Sequence, residues 1–249
     1  MTRAQRLARR LGYDLTPRAK AKAPDAQLVA VLQHFRITCV LDVGANVGQY
    51  GARLREWGWR GRIVSFEPQA QAHGGLERRA AADPAWQVAP RMALGQRAGA
   101  VEIEVSAESD MSSILPQSTL LRRVSPSAAV VGRQTVALCR LDEVAVSYLR
   151  PDDRVFLKID VQGYEAEVLA GAAGLLERLA GIQLEMSLVP LYQGERGFRG
   201  LLDDLAALGF EPWLFLPGYF ERKLARQLQL DGVFMRAAPT GVEGRAGPP

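Results

Sequence analysis

The sequence predicts an α/β fold in which a mostly parallel β-sheet has helices on both of its faces. Short apolar runs alternate with segments of helical periodicity at the start of the chain and again after residue 150. This alternation is typical of crossover connections between parallel strands. The last two predicted strands, 211–216 and 233–236, lack a helix of sufficient length between them. We therefore expect an antiparallel end to the sheet.

In the first part of the chain, each predicted element is bounded by a recognisable signal. Pro24 and Asp25 precede a helix over 26–36, and Gly44 ends a buried strand over 38–43. Glycines follow the next helix, and an Asp-Pro pair follows the third. The predicted helices here are 26–36, 47–57 and 69–82, and the predicted strands are 38–43, 62–66, 86–89, 92–94, 101–105 and 134–138.

The polar, Ser- and Pro-rich stretch 106–132 shows no clear period and is predicted as a long loop. Because long loops are often functional, we expect it to act as a lid over a ligand. The second part of the chain again alternates. Its predicted strands are 154–159, 182–185, 211–216 and 233–236, and its predicted helices are 164–179 and 198–208.

Composition excludes several classes of protein. With 249 residues and 48% apolar residues, the chain has enough apolar content for one large core, which we place in a single domain over 24–236. No apolar run approaches the roughly 18 residues that a membrane span requires. The only cysteines are Cys39 and Cys139, which excludes a disulfide scaffold, and two histidines are too few for a zinc cluster. We expect a cytoplasmic location with reduced thiols.

Charge is concentrated at the N-terminus. Residues 1–23 carry seven Lys and Arg and one Asp, a net charge of +6, whereas residues 24–249 sum to −2. We expect 1–23 to be a basic, helical leader and 237–249 to be a disordered tail. Because the body is nearly neutral, no nucleic-acid partner is expected. The sequence leaves a homodimer open.

Two strand ends in the first half of the chain indicate a nucleoside ligand. Gly44 and Gly48 follow the first strand in the spacing G-x-N-x-G, with Asp42 just before the turn. An acid there disfavours a phosphate and can accept a hydrogen bond from a cationic group. Glu67 ends the second strand, at the distance where a ribose diol is held. A cationic nucleoside without phosphate, S-adenosylmethionine (SAM), fits both acids, and NAD is the competing ligand.

Two later strands also end in carboxylates, Asp160 and Glu185. Two explanations compete. The pair could bind a divalent cation such as Mg²⁺, or one carboxylate could act as a general base toward a substrate hydroxyl. Lys158, in the same strand as Asp160, is a further catalytic candidate or a partner of a nearby acid. Tyr192 lies beyond the second of these strands and is a candidate lining residue of a substrate cleft.

Several stretches together resemble FkbM-type SAM-dependent methyltransferases. The resemblance runs in order from about residue 36 to 236, and its most specific motifs are SFEP and LKIDVQGYE. It also includes the stretches VLDVGANVGQYG, DMSS, RLD, QLEMSLVPLYQGE and LDGVF. The resemblance implies a class I methyltransferase fold: a Rossmann-like three-layer sandwich around a mostly parallel seven-stranded sheet with an antiparallel C-terminal strand.

The resemblance also implies which residues hold the cofactor. Asp42, Gly44, Asn46 and Gly48 would line the methionine part of SAM, Glu67 would hold the ribose, and Pro68 would lie at the adenine edge. Asp160 and Gln162 would face the region of methyl transfer. The full set of expected cofactor-binding residues is Asp42, Gly44, Ala45, Asn46, Gly48, Tyr50, Glu67, Pro68, Met92, Ser112, Asp160 and Gln162.

The activity that the resemblance implies is O-methylation by direct displacement. The expected acceptor is a small-molecule hydroxyl of a sugar, glycoside or polyketide-type natural product. Three alternatives stay open: methylation of a nitrogen or a macromolecule, an NAD-linked oxidoreductase, and a non-catalytic SAM-binding module on the same fold. The residue pattern after Ile159 lacks the Asn/Asp-Pro-Pro-Tyr type signature of amino-group methylation, which argues against the first.

Overall fold

The computed structural model describes residues 3–12 and 23–236, with twelve strands and eight α-helices in these ranges. The strands are β1 (Cys39–Val43), β2 (Arg62–Phe66), β3 (Trp86–Val88), β4 (Ala93–Leu94), β5 (Gly99–Ser106), β6 (Val130–Cys139), β7 (Val155–Ile159), β8 (Leu179–Ser187), β9 (Phe210–Pro217), β10 (Phe220–Glu221), β11 (Arg226–Gln227) and β12 (Gln229–Arg236). The helices are α1 (Arg3–Arg10), α2 (Pro24–His34), α3 (Gln49–Glu56), α4 (Ala70–Ala80), α5 (Thr119–Val124), α6 (Leu141–Val144), α7 (Glu165–Ala170) and α8 (Phe198–Ala207).

The central sheet has seven strands in the order β3-β2-β1-β7-β8-β12-β9. Strands β3, β2, β1, β7 and β8 pair in parallel, and β12 pairs antiparallel with both β8 and β9. The expected seven-stranded, mostly parallel sheet with an antiparallel C-terminal strand is confirmed. The antiparallel strand lies inside the sheet, one position from the edge.

Two apolar clusters cover the two faces of the sheet. On one face, Leu41 and Ile159 pack with residues of α7 and α8, including Val168 and Leu201. On the other face, Val40 and Phe156 belong to a cluster that also contains Leu28 of α2, Leu54 of α3 and Leu76 of α4. Because successive residues of a strand point to opposite faces, buried strands with two apolar faces give the predicted three-layer arrangement.

Two predicted elements differ in the structure. The expected helix 164–179 is interrupted: α7 ends at Ala170, and a 3₁₀ turn follows over Ala173–Arg178. Gly171 lies between them, where a Cβ atom would come within 2.0 Å of the carbonyl oxygen of Gly95. The stretch 106–132 is also more ordered than a loop. It contains α5 and two 3₁₀ turns, and β6 begins at Val130.

Smaller elements complete the described part of the chain. Strands β4, β6 and β5 form a separate three-stranded sheet, and β10 and β11 form a hairpin. The expected basic leader contains α1, while residues 13–22 and the predicted tail 237–249 lie outside the described residues. None of the helices described is both long and apolar enough to cross a bilayer.

Candidate active site

A cavity of about 650 Å³ lies where β1, β2 and β7 end. One part of its wall is apolar and includes Phe66, Met92, Ile103 and Ile114. The polar residues that line it are Asn46, Gln49, Glu67, Gln69, Ser109, Asp110, Ser112, Ser113, Asp160 and Gln162. We call this space the first cavity.

The glycine turn after β1 forms the floor of the first cavity. Gly44 has φ +73°, and a Cβ atom there would lie 1.8 Å from the carbonyl oxygen of Asp160, so no other residue fits this close approach. Asn46 also has a left-handed backbone, with φ +47°. A non-glycine residue in this conformation is strained and is often found at functional sites.

Glu67 presents its carboxylate to the first cavity from the end of β2. Its two oxygens accept hydrogen bonds from the backbone N–H groups of Asn46 and Gln69, both at 2.8 Å. Burial raises the pKa of Glu67 to about 7, although these two bonds act in the opposite direction. Each carboxylate oxygen has a further lone pair, so Glu67 can also accept from the hydroxyls of a ligand.

A second cavity, of about 860 Å³, adjoins the first. It is lined mainly by charged, amide and phenol side chains: Gln49, Tyr50, Arg53, Asp110, Lys158, Asp160, Gln162, Gln183, Glu185, Tyr219, Gln229 and Asp231. Ala45 and Met111 complete its wall. Four residues line both cavities, namely Gln49, Asp110, Asp160 and Gln162. Two ligands, one in each space, would therefore meet at the end of β7.

Asp160 and Glu185 face each other across the amide of Gln162. The amide nitrogen donates to Asp160 Oδ1 at 2.9 Å and to Glu185 Oε2 at 2.7 Å. Gln229 donates a second hydrogen bond to Glu185 Oε2 at 2.7 Å. The position between the two carboxylates is thus filled by a neutral N–H donor.

This arrangement does not fit the predicted Mg²⁺ site. A magnesium ion requires oxygen ligands in near-octahedral geometry, whereas an amide nitrogen lies between the two carboxylates. Across the described ranges, no three His, Cys, Asp or Glu side chains are grouped so as to hold a metal ion. We derive no step of the reaction through a metal.

Acids in the second cavity hold their protons more tightly than usual. Burial, together with the negative charges of Asp160 and Asp231, raises the pKa of Glu185 well above its ordinary value. Burial and Asp160 likewise raise the pKa of Asp231 to about 6. A carboxyl group whose pKa approaches neutrality is well matched to general acid–base work.

The amino-acid sequence matches a known family over most of this site. The model of the methyltransferase FkbM domain matches residues 42–212, which include the glycine turn, Glu67 and both catalytic candidates Asp160 and Glu185. The chain belongs to the FkbM methyltransferase family. This is a family of SAM-dependent methyltransferases, as the resemblance implied. A search of curated protein sequences finds no significant match.

Among solved structures, the FkbM-family chain is similar in fold to several methyltransferases. Magnesium protoporphyrin IX methyltransferase from Synechocystis is 11% identical, with a TM-score of 0.44 and coverage of 95% of this chain and 86% of that chain. An rRNA methylase from Streptococcus thermophilus is 13% identical, with a TM-score of 0.47 and coverage of 88% and 100%. A TehB-like SAM-dependent methyltransferase from Corynebacterium glutamicum is 13% identical, with a TM-score of 0.43 and coverage of 94% and 96%.

Asp42 of this FkbM-family protein lies in neither cavity lining. It is 0% exposed, and its carboxylate forms an ion pair with Lys158 at 3.1 Å and accepts a hydrogen bond from Ser65 at 3.2 Å. The sequence predicted that the cationic group beside Asp42 belongs to the ligand and that Asp42 lines the cofactor site; in the structure the cationic partner is Lys158 and Asp42 lines neither cavity. Burial alone would lower the pKa of Lys158, but the charges of Asp42 and Asp160 outweigh it and the pKa is raised.

Lys158 also connects the ion pair to the carboxyl end of β7. Its ammonium lies 3.5 Å from Asp160 Oδ2 and donates to the carbonyl oxygen of Gly44 at 3.0 Å. It remains protonated near neutral pH, so its contribution to the site is a fixed positive charge.

The other predicted cofactor-binding residues divide between the two cavities. Gly44, Asn46, Glu67, Pro68, Met92, Ser112, Asp160 and Gln162 line the first, and Ala45 and Tyr50 line the second. Gly48 lines neither, because a Cβ atom there would meet Leu76 and Trp86 behind the turn. The Ser112 hydroxyl accepts from the backbone of Ser106. Tyr192 lines neither cavity, but its hydroxyl donates to Gln162 Oε1 at 2.9 Å.

Sequence reasoning missed several lining residues. Gln49, which lines both cavities, has a buried Oε1 atom with no hydrogen-bond partner among the residues that the structure describes. Its position directly after Gly48 could have identified it. Asp231 pairs with Glu185 in the β12–β8 register, a relation that is fixed only once the strand order is known.

Proposed function

We propose that this protein transfers the methyl group of SAM to a hydroxyl of a small molecule. The first cavity would hold SAM, and the second would hold the acceptor. The observation that carries the proposal is that the two cavities share Asp160 and Gln162 at the end of β7. The acceptor class that we propose is a sugar, a glycoside or a polyketide-type compound.

The first cavity suits SAM in four respects. Glu67 offers a carboxylate to ribose hydroxyls, and the apolar side chains of Phe66, Met92 and Ile103 can pack on an adenine ring. The partnerless Gln49 Oε1 can accept a hydrogen bond from the ligand's ammonium group. The close approach of Gly44 to Asp160 leaves the turn free of side chains at the floor. The turn also lacks the third glycine that a dinucleotide pyrophosphate requires, which supports SAM more than NAD.

The second cavity suits a hydroxyl acceptor. Amide and carboxyl groups of Gln183, Glu185, Gln229 and Asp231 provide both donors and acceptors for hydroxyl groups. Tyr219 adds an aromatic ring against which a sugar or polyketide ring can pack. A polar cavity of this kind supports a hydroxylated small molecule as the acceptor.

In the mechanism, the protein aligns the acceptor and removes its proton. When bound in the first cavity, SAM would supply the methyl group that is transferred to the acceptor oxygen. Because an aliphatic hydroxyl is far too weak an acid to ionise at pH 7, a carboxylate must accept its proton. Glu185 is suited to this role, since its Oε1 makes no hydrogen bond to a described residue and its pKa is raised. Asp160 is the second candidate.

The test is a binding titration followed by product analysis. SAM and NAD are titrated calorimetrically into the full-length protein and into Glu67→Gln. The protein is then incubated with SAM carrying a trideuterated methyl group and panels of sugars, glycosides and polyketides. We expect SAM to bind, NAD not to bind, and a trideuterated methyl ether to appear in the mass spectrum. Binding of NAD alone, or a label on nitrogen, would overturn the proposal. The location that we propose, the cytoplasm, is supported by the two unpaired cysteines.

A further inference from the structure

The side chain of Gln162 makes three hydrogen bonds, all to groups at the junction of the two cavities. Its amide nitrogen bridges Asp160 and Glu185, and its amide oxygen accepts from the Tyr192 hydroxyl. Its backbone has φ +57°, a strained conformation for a residue with a side chain. The Ser113 hydroxyl donates to its carbonyl oxygen at 2.6 Å. Residues from several segments of the chain therefore fix the position of the Gln162 side-chain amide.

Tyr192 determines which end of this amide faces the carboxylates. The tyrosine is 1% exposed, and its ring packs on Gly163, where a Cβ atom would come within 2.9 Å of the tyrosine Cβ. Its hydroxyl donates toward Gln162 Oε1 at 2.9 Å and lies 3.2 Å from the carbonyl oxygen of Met111. With the amide oxygen held by this donor, the amide nitrogen must point to Asp160 and Glu185.

The bridge counters a repulsion that the fold creates. Asp160, Asp231 and Glu165 all act on Glu185 as negative charges, while Lys158 is the opposing positive charge. Nearby like charges favour a shared proton over two ionised groups. An N–H donor between the carboxylates favours an ionised form without adding charge. It binds Oε2 of Glu185, a residue that lines the acceptor cavity, and leaves Oε1 without a hydrogen bond to a described residue.

We propose that Gln162, oriented by Tyr192, is a positioning residue that holds Asp160 and Glu185 in place and stabilises the ionised form of Glu185, so that one of the two can accept the acceptor's proton. This inference rests on the proposed methyl transfer. In this step the proton moves from the acceptor hydroxyl to the carboxylate, and a lone pair of the acceptor oxygen forms the new carbon–oxygen bond. The methyl carbon–sulfur bond of SAM would break, and its electron pair would leave with sulfur as S-adenosylhomocysteine.

A test that needs no acceptor separates this proposal from the proposed function. The full chain is labelled with ¹³C at the glutamate carboxyl carbon, the Glu185 signal is assigned by its loss in Glu185→Gln, and its pH titration is followed by NMR. The variants are Gln162→Met, which removes the amide at similar length, and Tyr192→Phe, which removes only the hydroxyl. Tyr164→Phe is the matched control for the loss of a tyrosine hydroxyl. Tyr164 lies two residues after Gln162 in the chain, and it lines neither cavity.

We expect Gln162→Met to raise the apparent pKa of Glu185 by about one unit, because a hydrogen bond to the charged form is lost. Tyr192→Phe should raise it less, and Tyr164→Phe should leave it unchanged. An unchanged Glu185 titration in folded Gln162→Met would overturn the proposal. This readout is independent of whether any acceptor is methylated.

Once an acceptor is in hand, kinetics give the second readout. We expect kcat of Gln162→Met to fall about tenfold and its acid limb to move to higher pH, while the affinity for the acceptor changes little. A fall in kcat with an unshifted pH profile would indicate a purely structural role and would contradict the proposal.

Discussion

At the scale of single residues, Glu67 is the carboxylate through which pH should control cofactor binding. Its pKa is raised to about 7 by burial. Ligand hydroxyls donate to the ionised form, so we expect SAM affinity to increase as pH rises through about 7 and to level off above it. Calorimetric titrations of SAM between pH 6 and 8.5 measure this directly.

Glu67→Gln should weaken SAM binding by about tenfold to a hundredfold and remove this pH dependence, since hydrogen bonds to charged groups contribute ~1.5–3 kcal/mol. Glu77→Gln is the control, because Glu77 is an exposed residue of α4. A Glu67→Gln protein with the affinity and the pH profile of the wild type would show that Glu67 does not contact SAM.

The ion pair between Lys158 and Asp42 should contribute to stability as a unit. Both residues are buried, with exposed fractions of 3% and 0%. Lys158→Met leaves an unpaired buried carboxylate and should cost ~3–5 kcal/mol of unfolding free energy. The double variant Asp42→Leu/Lys158→Met should recover much of this loss. Urea denaturation measures all three proteins, and strictly additive losses would contradict the coupling.

Asp42 also shows what sequence reasoning could and could not supply at this scale. The sequence predicted that this acid contacts a cationic group of the ligand, because it stands beside a glycine turn, whereas its partner in the structure is Lys158. Lys158 is 116 positions away in the chain, and only the parallel pairing of β1 with β7 places it opposite Asp42. In contrast, the exposure of Glu67 to a cavity at the end of β2 followed from its place in the chain alone.

At the scale of elements, the two turns that flank α3 provide a matched pair of glycines, Gly44 before the helix and Gly58 after it. Gly44 and Gly58 both have positive φ, at +73° and +93°, but only Gly44 lacks space for a side chain. We expect Gly58→Ala to cost ~1–2 kcal/mol, the strain of a left-handed alanine. Gly44→Ala should cost more and should abolish SAM binding. If both variants lose the same stability and both still bind SAM, the close approach of Gly44 to Asp160 is required for neither property.

The predicted elements were most accurate where a single signal marked them. β2 matches its predicted limits, Arg62–Phe66, because an apolar run ends there beside charged residues and proline. β12 was predicted only from 233, whereas it begins at Gln229. Gln229 and Asp231 are polar residues that line the second cavity. This part of the strand therefore lacks the apolar pattern on which the prediction depended. The order of the strands could not be deduced from periodicity.

At the scale of the whole molecule, buried acids should make the unliganded protein less stable as pH rises. Burial raises the pKa of Glu67 to about 7, that of Glu165 to about 8 and that of Asp231 to about 6. Their values in the unfolded chain are about 4. Between these limits the folded state binds more protons than the unfolded state, so stability falls with increasing pH. The pKa values of Asp83 and Asp142 are lowered, so these two carboxyl groups change the stability only at pH values below this window.

We therefore expect Tm to decrease from pH 5 to pH 8 in calorimetric scans. Glu165→Gln should flatten this slope, because it removes one of the titrating groups at nearly constant volume. An exposed counterpart, Glu77→Gln, should keep the wild-type slope. A Tm that rises across this range would mean that these carboxyl groups are ionised in the folded protein.

The internal position of β12 has a consequence for how the chain is made. A ribosome releases Gln229–Arg236 after all the other strands, yet these residues pair with β8 on one side and β9 on the other. Until they emerge, the edges of β8 and β9 that pair with β12 are unpaired, and the sheet is not continuous. The sheet is thus completed only after its six other strands have been made, and a chain stopped before Gln229 exposes those edges to other nascent chains.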